Sequence, residues 1–391
     1  MHQPIRVEIL SNEIAPYRVP LYNRLSDEKG LDIEVLFCSK RIRERQWEVR
    51  TDRRFKNVIL PGFNLRLRKL NYAHEIRTIH VNPNLFLHLL RRNPDVIIAM
   101  EFSIPAVTAF TYCKLLGKRY ISWSEGTLYT ERHNSKAQQA LRHLIVPQAD
   151  ACIAVSSAAR EKYVALGANP DRVFIGIQTV EVDAITQKCR TLREARQTYR
   201  EEHSISGKIL LFTGYLNERK GVIHLLEAFA LLRAQMPDVH LILAGEGPEG
   251  EKLVDFCRAN DLIDAVTFAG FIPRDDLPSF YAAADVFVLP SLEDTFGVVV
   301  SEAMAAGLPI VCSMYAGAAQ DLIFDGVNGY QVDPVNHQQL AQRLFDILSN
   351  PAVAKEMGRA SLSIIAEHDI ETCAQGYLQA IKVAVSSDQG H

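Results

Sequence analysis

Short apolar runs alternate with longer amphipathic segments along the first half of the chain. The runs have the length of buried strands, and the apolar spacing between them is that of helices. This alternation predicts βαβ units around a parallel sheet. The predicted strands lie at 7–10, 33–37, 96–100, 120–123, 152–155 and 173–177, with helices at 20–27, 85–92, 106–116, 137–146 and 158–166.

The rhythm restarts beyond residues 183–205, a polar and charged segment that is typical of a connection between domains. No fixed-period repeat accompanies it, so the pattern predicts a second domain of the same kind rather than a solenoid. The predicted fold class is therefore α/β, with two doubly wound Rossmann-like domains. The second set of strands lies at 209–212, 239–244, 266–268, 286–289 and 309–312, with helices at 222–235, 250–260, 277–284, 301–306, 338–349 and 370–385.

Length and composition agree with two globular domains. The chain has 391 residues, of which 48% are hydrophobic and 23% charged, as in ordinary soluble proteins. Its seven cysteines are widely spaced without a CxxC pair, which disfavours a disulfide framework or zinc ribbon and favours a reducing compartment. No signal peptide is recognisable, and Glu101 and Pro105 interrupt the longest apolar stretch, 96–113. We therefore expect a cytoplasmic protein without a membrane span.

Charge is distributed unevenly, although the net charge is only −3. Residues 1–205 carry a net charge of +10, and residues 206–391 one of −13. Part of the basic excess lies in residues 40–69, which hold 11 basic and 3 acidic residues with Trp47, Phe55 and Phe63 among them. Such a segment is typical of a surface that binds nucleic acid or an anionic membrane, and also of a solvated loop.

Glycine follows several strands of the second half. Gly214, Gly245, Gly247 and Gly270 stand where predicted parallel strands end, and open α/β sheets bind ligands at that edge. Glycine there lets backbone N–H groups approach a phosphate. Glycine after a strand is also ordinary turn chemistry. Several such turns in one half of the chain favour a nucleotide or phosphate ligand.

Candidate charged residues accompany these turns. Lys220 precedes the helix at 222–235, where a lysine and the helix dipole can together neutralise a diphosphate, although a solvated loop charge is the alternative. Seven residues separate Asp294 from Glu302. Ser301 is expected to cap the next helix and thus to place Glu302 in its first turn. A carboxylate there can accept two hydrogen bonds from a diol such as a ribose, although acids are common in first turns without a ligand.

Residues 290–309 resemble the signature of the retaining family-4 glycosyltransferases, which have the GT-B fold. The segment has an acidic pair with Phe-Gly between its members, followed by Glu-Ala-Met-Ala-Ala-Gly and a proline. The likeness is strong over about 206–350. It implies two domains facing a central cleft: an acceptor-side domain at 1–190, a donor domain at 191–370, and a C-terminal helix at 371–391 that can return to the first domain. Flanking agreements are Gly214 with Lys220-Gly221, and the segments 244–248, 266–270 and 328–330.

The resemblance also implies roles by position in the motif. Glu302 would hold the donor ribose, Asp294 would contact the donor sugar, and Lys220 would stabilise the diphosphate, with Arg219 as a second positive charge. Members generally transfer sugar with retention of anomeric configuration and need no metal, so no metal site and no cofactor besides the nucleotide-sugar co-substrate are expected. The other donor-binding candidates are Gly214, Gly245, Gly247, Gly270, Phe271, Thr295, Phe296, Gly297, Val298 and Val299.

Four positions depart from the family pattern. Tyr215 stands where the family usually has arginine, and Asp294 where it usually has glutamate. Residues 11–20 replace a Gly-Gly loop, and Glu125 follows a strand that often ends in histidine. Glu125 and Arg18 are therefore the acceptor-side candidates, Glu125 as a catalytic residue, with membership of a structural ion pair as the alternative for both.

The expected function is retaining transfer of a sugar from a nucleotide-sugar donor to a glycan or lipid-linked acceptor, in cell-surface polysaccharide or glycolipid synthesis. With that function, residues 40–69 favour an anionic membrane over nucleic acid, at the inner face of the plasma membrane. Two alternatives stay open. One is a nucleotide-sugar epimerase or phosphorylase, and the other is a non-catalytic nucleotide-sugar binder.

Overall fold

The structure is a computed structural model that describes residues 3–40, 52–68, 76–194, 200–201 and 207–386. The described residues form two compact units. The first unit comprises residues up to 180 together with the helix from 370 onwards, and the second extends from 181 to 369.

The first unit alternates strands and helices around one parallel sheet. Its elements are β1 (Ile5–Ser11), α1 (Val19–Ser26), β2 (Leu31–Phe37), β3 (Lys56–Ile59), β4 (Phe63–Arg68), β5 (Ile76–Val81), α2 (Leu85–Arg92), β6 (Val96–Met100), α3 (Ile104–Leu116), β7 (Arg119–Ser124), α4 (Lys136–Ile145), β8 (Ala151–Ala154), α5 (Ser157–Ala165) and β9 (Val173–Ile175). The sheet order is β3-β2-β1-β6-β7-β8-β9. Strands β6 and β8 are buried throughout, as expected for a parallel sheet covered on both faces.

The six strands predicted in this half are confirmed to within two residues at each end. The antiparallel hairpin β4–β5 was not predicted, because its arginines led us to interpret the segment by charge. Phe63, Leu65 and Leu67 do alternate with polar residues, which is the period of a strand. Of the basic segment 40–69, residues 41–51 and 69 lie outside the described part of the chain.

The second unit repeats the architecture. Its elements are α6 (Val182–Glu194), β10 (Lys208–Thr213), α7 (Val222–Gln235), β11 (Val239–Ala244), α8 (Gly250–Ala259), β12 (Val266–Gly270), α9 (Leu277–Ala283), β13 (Val286–Leu289), α10 (Val298–Ala305), β14 (Ile310–Ser313), α11 (Ala319–Leu322), β15 (Gly329–Val332), α12 (His337–Leu348) and α13 (Pro351–Ala366). The parallel strands have the order β12-β11-β10-β13-β14-β15. The order reverses between β10 and β13, so the carboxyl ends of these two strands form the topological switch point.

Helix α6 occupies the first part of the predicted connection 183–205. It packs on α9 and α10, and Cys189 is buried in this contact at 1% exposure. The Thr186 hydroxyl donates to the Ala305 carbonyl at 2.8 Å. The predicted domain boundary at 190/191 therefore falls inside a packed helix of the second unit.

The helix predicted at 301–306 begins earlier, as α10. It follows Gly297, whose φ of 92° is in the left-handed region that favours glycine. The predicted cap at Ser301 was wrong, because this residue lies inside the helix with its hydroxyl buried. Glu302 consequently lies in the second turn rather than the first. Three consecutive valines favour a strand by propensity, but tertiary packing makes them the start of a helix.

The last helix, α14 (Ile370–Ser386), packs in the first unit against α1, β8 and β9. The Arg24 guanidinium forms two hydrogen bonds with Glu371, at 2.5 and 2.9 Å. The contact with β9 is close, because a Cβ atom at Gly376 would lie 2.2 Å from the Ile175 carbonyl oxygen. Within the described residues, no helix combines the length and hydropathy that spanning a membrane requires.

Candidate active site

Two loops meet at the switch point of the second sheet. One follows β10 and carries Arg219 and Lys220, and the other follows β13 and carries Asp294. Lys220 Nζ lies 2.5 Å from Asp294 Oδ2. Arg219 donates to the Glu293 carbonyl at 2.6 Å and lies 4.0 Å from Asp294 Oδ1. The fold thus brings together three of the predicted donor-site residues at the sheet edge where ligands bind.

Asp294 is held in its ionised form. Its burial alone would raise the pKa, but the charge of Lys220 and then that of Arg219 outweigh burial and lower the pKa below its usual range. Hydrogen bonds from Lys220 and from the backbone N–H of Phe296 act in the same direction. The Phe296 N–H, which the resemblance implied for the donor, is therefore engaged by Asp294.

The N-terminus of α10 lies directly after this loop. N–H groups in the first turn of a helix have no partner within the helix, and here they belong to Val298 and Val299, which are partly exposed. Together with the helix dipole, such groups bind anions. The arrangement offers backbone donors beside the ammonium of Lys220.

Glu302 lies one turn further along α10 and is partly exposed. Burial raises the pKa of Glu302, while a hydrogen bond from Tyr281 and the charge of Arg274 oppose the shift. Tyr281 Oη lies 2.8 Å from Glu302 Oε2 and 3.0 Å from Thr213 Oγ1. Tyr281 and Thr213 therefore position Glu302, and neither was singled out from the sequence, because a tyrosine in an apolar helix and a threonine at a strand end give no signal of their own.

Two of the predicted glycines, Gly245 and Gly247, serve the packing of the loops. A Cβ atom at Gly245 would lie 1.8 Å from the Gly214 carbonyl oxygen, and one at Gly247 would lie 2.3 Å from that of Leu216. Gly214 itself has a φ of 153°. Backbone hydrogen bonds join the same loops, such as Leu216 N–H to the Glu246 carbonyl at 2.9 Å. Close loop packing thus accounts for Gly245 and Gly247 without a ligand.

The remaining turn candidates, Gly270 and Phe271, lie at the end of β12. Gly270 has a φ of 69° with no atom close to its Cβ position. Phe271 is 42% exposed. The turn therefore requires glycine for its backbone conformation and presents an aromatic ring to solvent.

In the first unit, Arg18 and Glu125 form an ion pair with each other. The Arg18 guanidinium carbon lies 4.9 Å from the Trp123 ring centroid, and its NH1 lies 3.3 Å from Met100 Sδ. The cavity beside the pair has a volume of about 20 Å³, which suits roughly one water molecule. This geometry corresponds to the structural ion pair that was the alternative for both residues.

Behind Glu125 lies a buried polar network that the sequence did not reveal. Lys162 is 1% exposed, and its Nζ lies 2.5 Å from Ser124 Oγ and 3.2 Å from Glu131 Oε1. Ser124 donates to Glu101 at 3.2 Å, and Arg142 donates to Glu131 at 2.7 Å. The opposite charges compensate one another, as burial requires.

Comparison with known proteins gives concordant results. Residues 195–363 match the family model of the glycosyl transferases group 1. The glycogen synthase of Mycobacterium tuberculosis is 28% identical over 324 residues, covering 82% of this chain and 72% of that protein. The D-inositol 3-phosphate glycosyltransferase of Pseudarthrobacter chlorophenolicus is 31% identical over 268 residues, covering 67% and 62%. The structure of Anabaena Alr3699/HepE in complex with UDP superposes with a TM-score of 0.77 at 17% identity, covering 97% of this chain and all of that one.

These likenesses confirm the predicted fold class, two Rossmann-like domains of the GT-B type. The sequence relatives further confirm the prediction that the chain is a glycosyltransferase. The loops that carry Lys220 and Asp294 are therefore candidates for the substrate-binding site of this enzyme.

Proposed function

We propose that the chain transfers a sugar, with retention of anomeric configuration, from a nucleotide-sugar donor held in the second unit. The observation that carries the proposal is the placement of Lys220 and Asp294 at the switch point, beside the N-terminus of α10. A cation and a helix N-terminus can together bind a diphosphate. The structure of Anabaena Alr3699/HepE, which has the same fold, is a complex with UDP, and this supports a nucleotide as the ligand of the present chain.

Each residue then has a role set by its chemistry. Lys220 and Arg219 neutralise the diphosphate, and the Val298 and Val299 N–H groups donate to it. Glu302 accepts hydrogen bonds from the ribose diol, and Tyr281 holds its carboxylate in place. Asp294 meets the donor sugar while it orients the Lys220 ammonium.

The proposed reaction is a displacement on one face of the sugar. The bond from the anomeric carbon to the phosphate oxygen breaks, and the acceptor oxygen bonds to the same face. The acceptor proton passes to the departing phosphate, and Lys220 with the α10 N-terminus stabilises the negative charge that develops there. This route requires no covalent sugar intermediate on the protein.

The test is a panel of nucleotides and nucleotide sugars, measured by the shift in Tm and then by calorimetric titration. One nucleoside diphosphate should raise Tm by mass action, because it binds the folded state. Glu302→Gln should weaken the binding of that nucleotide by about tenfold, because an amide replaces a carboxylate that accepts charge-assisted hydrogen bonds. Product anomers from a donor-cleavage assay report retention or inversion.

Glu356→Gln, an exposed glutamate on α13, is the matched control and should bind like the wild type. The absence of stabilisation by every nucleotide would overturn the donor site. Nucleotide binding without any donor cleavage would favour the non-catalytic binder, and cleavage by phosphate would favour a phosphorylase.

We further propose a glycan or lipid-linked acceptor, in polysaccharide or glycolipid synthesis, reached at an anionic membrane surface. The hairpin β4–β5 supports this, because Phe63, Leu65 and Leu67 lie on one face of β4 and are 55, 48 and 53% exposed. Basic residues near an anionic surface contribute about 1 kcal/mol each. Two of those in 40–69 are already compensated, Lys56 by Asp32 and Arg54 by Asp27.

Co-sedimentation with phosphatidylserine vesicles tests this surface. Binding should weaken as salt increases, and Leu65→Ser should reduce it by several fold. Leu115→Ser, at a residue of α3 that is 68% exposed, is the control. Equal binding by the two variants, or none by the wild type at low salt, would contradict the proposal.

A further inference from the structure

Two helices of the second unit bring three metal-ligating side chains together, outside the proposed donor site. His224 and Glu227 lie three residues apart on α7, which places them on the same face, and His337 is the first residue of α12. His224 Nδ1 lies 3.0 Å from His337 Nε2. Glu227 Oε2 lies 3.3 Å from His224 Nδ1 and 2.9 Å from His337 Nε2.

Hydrogen bonds among the three side chains cannot satisfy all three contacts. An ionised carboxylate oxygen only accepts, so both ring nitrogens would have to carry protons to satisfy it. The two N–H groups would then face each other across 3.0 Å. If either nitrogen lacks its proton, a lone pair faces the carboxylate instead. A cation at the centre removes this conflict, because it attracts all three lone pairs at once.

The spacing of the three atoms fits a small divalent ion. Adjacent ligands of an ion with bonds of about 2.1 Å lie about 3.0 Å apart in octahedral geometry and about 3.4 Å apart in tetrahedral geometry. The measured separations of 2.9, 3.0 and 3.3 Å lie close to that range. The site is also anchored at both sides, because α7 and α12 are packed against each other.

The types of the three ligands and the exposure of their side chains indicate which ions the site can bind. Two imidazoles and one carboxylate suit Zn²⁺, Co²⁺, Ni²⁺ or Cu²⁺, whereas Mg²⁺ prefers oxygen ligands. The side chains of His224, Glu227 and His337 are 23, 37 and 31% exposed. Solvent can therefore fill the remaining coordination positions, as in open zinc sites.

A second cluster among the described residues, Glu8 with Glu34 and His88, is less suited to a metal. Arg92 already donates to Glu8 at 2.9 Å and lies 3.7 Å from Glu34. A guanidinium supplies the positive charge there, and it would repel a metal ion. No such cation is recorded within ion-pair distance of Glu227 in the described part of the chain.

We propose that His224, Glu227 and His337 bind one divalent transition-metal ion, which joins α7 to α12. His224 is four residues beyond Lys220, and its N–H donates to the Gly221 carbonyl at 3.0 Å. Bound metal therefore fixes the first turn of the helix that follows the Lys220 loop. The ion takes no part in the proposed sugar transfer, and the inference does not depend on that proposal.

The experiment is calorimetric titration of the chelator-treated full-length protein with Zn²⁺, and separately with Mg²⁺. We expect one Zn²⁺ per chain, with Co²⁺ giving a visible absorption spectrum at the same stoichiometry, and no binding of Mg²⁺. His224→Ala and His337→Ala should each weaken the binding of Zn²⁺ by at least about tenfold. Even the loss of a residue that only hydrogen-bonds to a metal ligand lowers metal affinity by about 10–100-fold. Zn²⁺ should also raise the wild-type Tm by mass action.

His143→Ala, at an exposed histidine of α4, controls for adventitious binding and should titrate like the wild type. Because both ligand histidines are partly exposed, the metal-free variants should unfold at the wild-type Tm, which separates lost ligation from lost folding. Zn²⁺ binding with unchanged affinity in the His224→Ala/His337→Ala double variant would overturn the site, as would no stoichiometric binding to the wild type.

Discussion

Each sheet carries a cation paired with a carboxylate at the carboxyl ends of its strands. In the first unit the pair is Arg18 with Glu125, and in the second it is Lys220 with Asp294. Arg18 is covered by Trp123, and about 20 Å³ remains beside the pair. The second pair adjoins a helix N-terminus with partly exposed residues. A charged pair at this edge is therefore no sign of a ligand by itself, and the neighbouring helix N-terminus distinguishes the second pair from the first.

The largest effect is expected from breaking the first pair. Arg18→Met leaves the Glu125 carboxylate, whose side chain is 14% exposed, without its cation. Loss of one partner from a buried pair costs about 3–5 kcal/mol of unfolding free energy. Urea unfolding followed by circular dichroism measures the change.

The double variant Arg18→Met/Glu125→Leu separates structure from catalysis. It should recover most of the lost stability, because apolar residues can replace a buried pair, and it should still cleave donor. A stable double variant that cleaves donor but no longer transfers to acceptor would instead assign this pair to the acceptor.

A loss of rate rather than of stability is expected at the second pair. Lys220→Met/Asp294→Asn removes both charges, so no buried carboxylate is left without a partner. Donor cleavage should fall by about 10²–10³-fold, the usual cost of losing one group that stabilises developing charge. Steady-state kinetics measures kcat, and a change below tenfold would remove Lys220 from the catalytic machinery.

Arg258→Met is the matched control for that loss. Arg258 lies on α8 of the same unit and pairs with Asp255 at 3.2 Å, and the two side chains are 67 and 74% exposed. Exposed pairs contribute little to stability, so kcat and the unfolding free energy should both stay at wild-type values.

The sequence predicted the fold well because parallel strands buried on both faces are continuous apolar runs, such as β6. It failed at α10, where Val298 to Val300 have strand propensity and only Gly297 starts the helix. The segment 351–366, which forms α13, was not predicted as a helix. Local patterns do not reveal what tertiary packing decides.

The candidate site was predictable where motif spacing carries the chemistry, as for Lys220 and Asp294. Partners supplied by other elements were not, because their role depends on contacts far apart in sequence. Tyr281 reaches Glu302 across 21 residues and Thr213 across 68. Arg18 and Glu125, 107 residues apart, were both named as candidates, but that they are each other's partner appears only in the structure.

A smaller effect is expected from acidification. Burial raises the pKa of Glu302 above its usual value of 4.5, and ribose hydroxyls bind the ionised form. The affinity for the donor should thus be highest above the raised pKa of Glu302. Below that pKa it should fall by up to about tenfold per pH unit. Calorimetric titration with the nucleotide sugar measures this, since its diphosphate diester does not titrate there. Glu302→Gln should bind weakly with no such dependence, and an equal dependence in this variant would place the titrating group elsewhere.

The smallest effect concerns the hydroxyl that positions Glu302. Tyr281→Phe removes the group between Thr213 and Glu302 and leaves the buried Thr213 hydroxyl without it, at a cost of about 1 kcal/mol. The Tyr281 hydrogen bond lowers the pKa of Glu302, so its loss should move the midpoint of the donor-binding pH profile upward. Tyr330→Phe, at a partly exposed ring under Arg343, should leave the midpoint in place. If the Tyr281→Phe variant is less stable but its pH midpoint does not move, Tyr281 contributes only to packing. The position of the Glu302 carboxylate would then be set by α10 alone.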